Sequence, residues 1–383
     1  MSEYIALGAG DPAPWFRQRS FANPDYNFDV VGGRYVVLCY FASASDAHSQ
    51  AALAAVAERS DLFDDDFASF FGISVDPSDE SEQRVEDSYP GYRFFWDFDC
   101  KIARAYGVLP GAASDDGTPM VARRMWFVLD PTLRIMQVVP FADDGSDIAM
   151  VVDFVSRLPR PHQFAGFEVH APILILPQVF EPEFCRHLID LYDEHGGEES
   201  GFMRQRDGKT VGVKDRSHKS RKDYYLDDQA LIKQTQTRMI RRVVPEIRKV
   251  HQFHVTRMER YLVGCYSADD GGHFAPHRDN TTSGTAHRRF AVSINLNDDF
   301  DGGEVGFPEY GPRRYKAPPG GAVVFSCSLL HSVSRVTRGA RYAFLPFLYD
   351  DAAAAIREQN NKFLAEGVGA YTAEPTARGA KSV

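Results

Sequence analysis

The chain has 383 residues, which is too long for one ordinary core and predicts two domains, three at most. With 44% hydrophobic and 25% charged residues, it has the composition of a folded globular protein, and disorder is expected only at the ends. A formal net charge of −10 excludes general binding to nucleic acid or to an anionic membrane surface, which both need a basic field; only a local basic patch stays open.

The N-terminal "MSEYIALGAGDPAPWF" has no basic flank followed by an apolar run, and no segment approaches the roughly eighteen apolar residues of a membrane span, so a cytoplasmic location is expected. From there to about residue 160, strand-like apolar runs alternate with helical patterns. "RYVVLCYF" reads as a buried strand, "SQAALAAVAERSDLF" as a helix, "FASFFGISVD" as a second strand, and "RRMWFVLDPTLRIMQVV" as a hairpin around Asp130-Pro131. This predicts an α/β domain over 1–160. "SRLPRPHQFAG" is a linker by composition, placing the boundary near Pro161.

Beyond it, "EPEFCRHLIDLYDEHGG" is a helix stopped by Gly196-Gly197, and "DDQALIKQTQTRMIRRVVPEIRKV" makes one or two more. From Val255 to Tyr349 short strands and glycine turns take over, predicting a barrel or sandwich with helical support over 161–350. Residues 351–383 begin as an alanine-rich helix and end in a polar, flexible tail. Cys39, Cys100, Cys185, Cys265 and Cys327 are odd in number and lack any C-x-x-C, so they form neither a disulfide framework nor a zinc site.

"GGHFAPHRDN" places His277 and Asp279 two residues apart. On a strand, such residues share a face and can offer an imidazole nitrogen and a carboxylate oxygen to one ion. His331 in "SLLHSVSRV" supplies a third ligand, and two histidines with one carboxylate on one side of an ion form the facial triad of non-haem Fe(II) oxygenases. A turn at Arg338-Gly339 is expected to fold Arg341 back beside the His331 strand, as a fork for a co-substrate carboxylate. His273 reads as a bystander, and His287 as a surface residue. The basic stretch Met203–Tyr225 reads as a solvated loop; in the alternative reading it folds over the active site and guides an acidic substrate, with Arg221 as a substrate contact.

"RYLVGCY", "HFAPHRDN", "GGEVGFPEYG", "PPGGAVVFS" and "LLHSVSRVTRGARYAF" together resemble, in order and spacing, the 2-oxoglutarate and Fe(II)-dependent dioxygenases of the prolyl 4-hydroxylase-like branch. The resemblance implies a double-stranded β-helix, or jelly roll. It makes His277, Asp279 and His331 the iron ligands and Arg341 the partner of the 2-oxoglutarate C5 carboxylate, with Tyr261 assisting and Tyr266 as a second candidate. It implies Fe(II), 2-oxoglutarate and O2, with ascorbate as a candidate reductant. The reaction implied is hydroxylation of an unactivated C–H bond with release of succinate and CO2, on a peptide or protein side chain or else on a small molecule. The presence of Asp279 disfavours halogenation.

The N-terminal motifs "LGAGDPAPWF", "YVVLCYFASAS", "FFGISVDPSDE", "FFWDFDCKIARAYGV" and "RRMWFVLDPTLRI" resemble peroxiredoxins of the alkyl hydroperoxide reductase type, on a thioredoxin-like fold. Peroxidase chemistry needs a thiolate at a helix N-terminus, yet "ASASDAHSQ" after the first strand has serines and no cysteine. The resemblance therefore predicts a redoxin-like domain without peroxidase activity, serving binding, positioning or homodimerisation. Two readings of other classes stay open: a thiol peroxidase or redox sensor using Cys100, and a non-catalytic sensor of iron or 2-oxoglutarate.

Overall fold

Every side chain from Tyr35 to Phe41 is buried, and the alternation of the strand explains why an unbroken apolar run is needed there. Tyr35, Val37, Cys39 and Phe41 enter one core cluster, while Val36, Leu38 and Tyr40 enter another on the opposite face. In the computed structural model, which describes residues 4–110 and 122–372, this strand, Tyr35–Ala42, is the centre of a five-stranded sheet. Ala68–Ser74 pairs parallel to it and Tyr92–Trp96 parallel to that; Met125–Leu129 and Ile135–Pro140 follow antiparallel on the other side. The hairpin expected around Asp130-Pro131 is formed by these last two strands.

The helix Ala47–Ala57 starts where Asp46 accepts hydrogen bonds from the His48 and Ser49 amides, which satisfies donors that the first turn leaves unpaired. The chain divides into two compact units, Met1–Ala171 with Pro308–Pro312, and Pro172–Phe307 with Arg313–Val383. No helix among the described residues is long and apolar enough to cross a membrane.

In the second unit, the helix Pro182–His195 buries Phe184, Cys185, Leu188 and Tyr192 along one stripe and stops at Gly196, whose φ is 74°. The expected pair of further helices is Gln229–Arg242 and Val244–His251. Two sheets follow. One contains Leu262–Ser267, Phe290–Asn295 and Ala340–Phe344; the other contains Lys219–Ser220, His273–His277, Val305–Gly306 and His331–Val333. Their side chains share one cluster, with Tyr266 from the first beside Phe274 and Val333 from the second.

The stretch expected to be a solvated loop is largely built. Phe202–Arg206 and Lys209–Val213 form a hairpin around Asp207-Gly208, both with positive φ. The helix expected after residue 350 is Asp351–Gln359, while the tail "TARGAKSV" lies outside the described residues.

Candidate metal centre

His277 and His331 stand directly opposite each other on neighbouring antiparallel strands. Contrary to the i, i+2 argument, Asp279 is not on the strand, which ends at His277. The carboxylate is instead carried by the turn that follows, where the Asp279 amide donates to the Cys327 carbonyl at 2.9 Å and Arg288 Nη1 donates to the Asp279 carbonyl at 3.4 Å. The outcome for the side chains is nevertheless a cluster. Asp279 Oδ1 is 3.6 Å from His277 Nε2, Asp279 Oδ2 is 3.3 Å from His331 Nε2, and one ligand atom from each residue lies within 4.8 Å of the others.

Both imidazoles are oriented by the same device. His277 Nδ1 lies 2.8 Å from the Ala275 carbonyl and His331 Nδ1 lies 3.0 Å from the Leu329 carbonyl. A carbonyl can only accept, so each Nδ1 carries a proton, and in the neutral ring Nε2 is the nitrogen that offers a lone pair to a cation. Phe274 stacks on His277 at 3.5 Å between centroids, and Phe325 lies 4.6 Å from His331, which restrains both rings. Burial, followed by the neighbouring His331, pushes His277 down to about 4. Burial alone would raise Asp279, but His331, His277 and Arg288 hold it below the usual carboxylate range. A His277 held neutral and an Asp279 held ionised are protonation states that suit a divalent cation.

Arg341 is placed differently from expectation. The turn before it carries the chain out of the His331 sheet and into the other one, where Arg341 pairs with Tyr266 across the Leu262–Ser267 and Ala340–Phe344 strands. Arg341 is 1% exposed. Its Nε donates to Asn295 Oδ1 at 2.9 Å and its Nη2 to Ser293 Oγ at 2.6 Å, while Nη1 is buried without a partner. An orphaned donor on a buried cation is costly, and a carboxylate would relieve it.

Tyr266, not Tyr261, accompanies this arginine. The Arg341 guanidinium lies 5.3 Å from the Tyr266 ring centroid, whereas the Tyr261 hydroxyl accepts from Gln236 Nε2 at 2.6 Å and donates to the Met258 carbonyl at 3.3 Å. Arg221 is also not open to a substrate. It is buried and grips Asp223 through Nε at 2.5 Å and Nη2 at 2.7 Å, with Nη1 donating to the Tyr266 hydroxyl at 3.2 Å. Arg221 thus aims a phenol instead of meeting solvent.

Two further buried residues stand out in the C-terminal unit, Lys219, which sequence reasoning passed over, and His287, which it misplaced. Lys219 is 3% exposed, donates to Ser200 Oγ and the Gly201 carbonyl, both at 2.7 Å, and lies over Phe274; burial, then Arg221, holds its ammonium well below its ordinary value. His287, read as a surface residue, is 1% exposed with Nε2 at 3.1 Å from Glu259, because an acid 28 positions away supplies its partner.

Among the described residues, the N-terminal unit holds no comparable centre. Ser49, in the first turn of the helix Ala47–Ala57, is fully buried, with the single hydrogen of its hydroxyl shared between two acceptors, Asp46 Oδ2 at 2.6 Å and the Phe41 carbonyl at 3.0 Å. Arg124, which approaches the same helix end, is taken by Asp46 at 2.6 Å. An open pocket of about 500 Å³ lined by Ala44, Ser45, Gln50, Leu53 and Arg84 also lacks a thiol, and Arg84 there is bound to Asp76 and Asp79. Cys39 is buried and pushed well up by that burial. Cys100 is raised by burial and by Asp97.

Residues 258–349 match the family model of the 2OG-Fe(II) oxygenase superfamily, and residues 9–138 match that of the AhpC/TSA family. The chain is similar to a PKHD-type hydroxylase of Pseudomonas fluorescens, 41% identical over 91 residues, and to the PKHD-type hydroxylase PiuC of Pseudomonas aeruginosa, 37% identical over 91 residues. Each match covers 21% of this chain and 39% of the relative, so the chain spans about two fifths of the length of the curated relatives it matches. Among solved structures it is similar to peroxidoxin BcpB from Mycobacterium tuberculosis, with a TM-score of 0.34, 20% identity, and coverage of 40% of this chain and 99% of that one. It is also similar to a prolyl hydroxylase from Trichoplax adhaerens in complex with a hypoxia inducible factor peptide fragment, with a TM-score of 0.36, 14% identity, and coverage of 54% and 94%. The chain carries an AhpC/TSA, peroxiredoxin-like N-terminal domain and a 2OG-Fe(II) oxygenase C-terminal domain.

Proposed function

We propose that the protein is an Fe(II)- and 2-oxoglutarate-dependent hydroxylase acting on a peptide or protein side chain, with the C-terminal domain, about residues 161–350, forming a double-stranded β-helix around the metal. The observation that carries this reading is the convergence of His277, Asp279 and His331 with both Nε2 atoms turned inward. Three ligands on one side leave the other side of an ion open, the arrangement suited to a bidentate co-substrate and O2. When bound, the iron supplies the oxidising chemistry, in which 2-oxoglutarate is decarboxylated to succinate and CO2 and a C–H bond becomes C–OH.

The chain's own contribution is positioning and exclusion of water. Arg341 donates Nη1–H to the far carboxylate of 2-oxoglutarate, with Ser293 and Asn295 holding the rest of the fork. Tyr266, aimed by Arg221, borders the same cradle. Phe274 and Phe325 wall the two histidines, keeping the local dielectric low so that each charged contact counts for more.

The N-terminal domain, about 1–160, acts in this reading as a binding or dimerising module without a thiol centre. The test is an anaerobic titration of Fe(II) and then 2-oxoglutarate into the full chain, following the visible charge-transfer band of the chelated complex. The band is expected in the native protein and absent from His277→Ala; no band in the native protein overturns the reading.

A further inference from the structure

We infer that Arg204, on the hairpin beside the metal group, selects polypeptide substrates that carry an aspartate or glutamate close to the oxidised residue. The inference rests on the proposed hydroxylase reading. Its first ground is placement. The hairpin is fixed through one face, where Gln205 Oε1 accepts from the Ser283 amide at 3.0 Å and Thr210 Oγ1 accepts from the Gly284 amide at 2.9 Å. Alternation along the strand puts Phe202 and Arg204 on the opposite face. Phe202 packs against His218 at 4.4 Å, and His218 stands 6.4 Å from the His277 ring. The Arg204 guanidinium lies 5.5 Å from the Phe202 centroid.

The second ground is charge. Residues 203–222 contain eight Lys and Arg against two Asp, in a protein whose net charge is −10. Two of the four arginines of this stretch have acids of their own: Arg216 bonds Glu199 and Arg221 bonds Asp223. Arg204 is half-buried and meets no carboxylate among the described residues. The His218 ring nitrogens beside it meet no hydrogen-bond partner among the described residues either; only the backbone of His218 is bonded, to Asp215 and Ala275. The rim next to His277 therefore offers an arginine fork and an imidazole with no acceptor from the chain. A carboxylate suits both, and a guanidinium favours it through paired N–H donors. At about 3.3 Å per extended residue, the acid would lie within about four residues of the oxidised position.

The experiment uses the full chain with Fe(II), 2-oxoglutarate and O2. It offers three peptide pools that share every guest residue at the centre and differ in flanks of Asp and Glu, of Asn and Gln, or of Lys. Hydroxylation is read as a 16-dalton gain per peptide, beside the anaerobic spectrum of each protein. The acidic pool is expected to be hydroxylated most, by about tenfold over the neutral one. Arg204→Glu should abolish that preference, Arg204→Lys should keep most of it, and neither should change the 2-oxoglutarate spectrum. Added salt should weaken the preference. Equal use of the pools, hydroxylation of none of them with an intact spectrum, or an unchanged preference in Arg204→Glu overturns the inference while leaving the metal reading standing. Loss of the spectrum in the native protein overturns both.

Discussion

Tyr266 and Arg341 are register partners on adjacent antiparallel strands, and the guanidinium lies 5.3 Å from the phenol ring. Tyr261 is five residues earlier and lies just before that strand, where its hydroxyl is held by Gln236 and the Met258 carbonyl. The two tyrosines can therefore be told apart by experiment. Tyr266→Phe should weaken 2-oxoglutarate binding about fivefold, the loss of roughly 1 kcal/mol of hydrogen bonding, and Tyr261→Phe should leave it unchanged. Arg341→Ala should weaken it at least tenfold, and Arg341→Lys should recover only part, because a point charge cannot replace the fork. Anaerobic titration of the Fe(II) protein, followed by its visible band, measures all four. Equal loss in the two tyrosine variants would reject the assignment.

The three proposed ligands should behave unlike their neighbour His273. His273 has both ring nitrogens near carbonyls, Gly271 at 2.8 Å and Ser217 at 3.1 Å, and keeps no lone pair directed at the cluster. Replacing His277, Asp279 or His331 by Ala should each lower Fe(II) affinity by more than tenfold, whereas His273→Ala should retain the metal. Equilibrium dialysis with iron analysis decides it, and metal retention in Asp279→Ala would remove the carboxylate from the set.

The buried central strand was readable because an apolar run on both faces has few other uses, and the Tyr35–Phe41 run fills both cores of the first unit. His277, Asp279 and His331 were readable from motif and spacing. What was not readable depended on where strands stop and how they pair. The strand ends at His277, so Asp279 reaches the cluster from a turn; Arg341 leaves the His331 sheet for the facing one. The hairpin 202–213 did carry a signal, the Asp207-Gly208 turn, but its flanking strands are polar and show no apolar alternation. Arg221 could not be separated from a solvated arginine without knowing that Asp223, two residues on, is buried with it.

The N-terminal domain should not reduce peroxide. A reactive thiol needs an electropositive, partly exposed setting; Ser49 occupies the helix start, and the nearby Arg124 is bound by Asp46. Cys100, the most accessible of the five cysteines, is raised away from thiolate by burial and by Asp97. Hydrogen peroxide consumption in the presence of dithiothreitol should match the protein-free rate, and Cys100→Ser should not alter it. Rapid consumption by the native chain that is lost in Cys100→Ser would restore the peroxidase reading.

Acid should weaken the N-terminal domain through Asp65. Burial alone would raise this carboxyl, but Arg93 and Ser69, with Oδ1 accepting at 2.8 and 2.6 Å, outweigh it and hold it at about 2. A folded pKa below the unfolded value of about 3.9 means the stabilisation is complete above pH 4 and disappears as the pH falls toward 2. Because the pair is partly open to solvent, its worth is on the order of 1 kcal/mol. All three tryptophans, Trp15, Trp96 and Trp126, lie in this unit, so tryptophan fluorescence during urea unfolding reports on it alone. Asp65→Asn should be less stable than the native chain by that amount at pH 7, and the gap should close as the pH approaches 2. A gap that stays constant across that range would place the cost in packing and not in the ion pair.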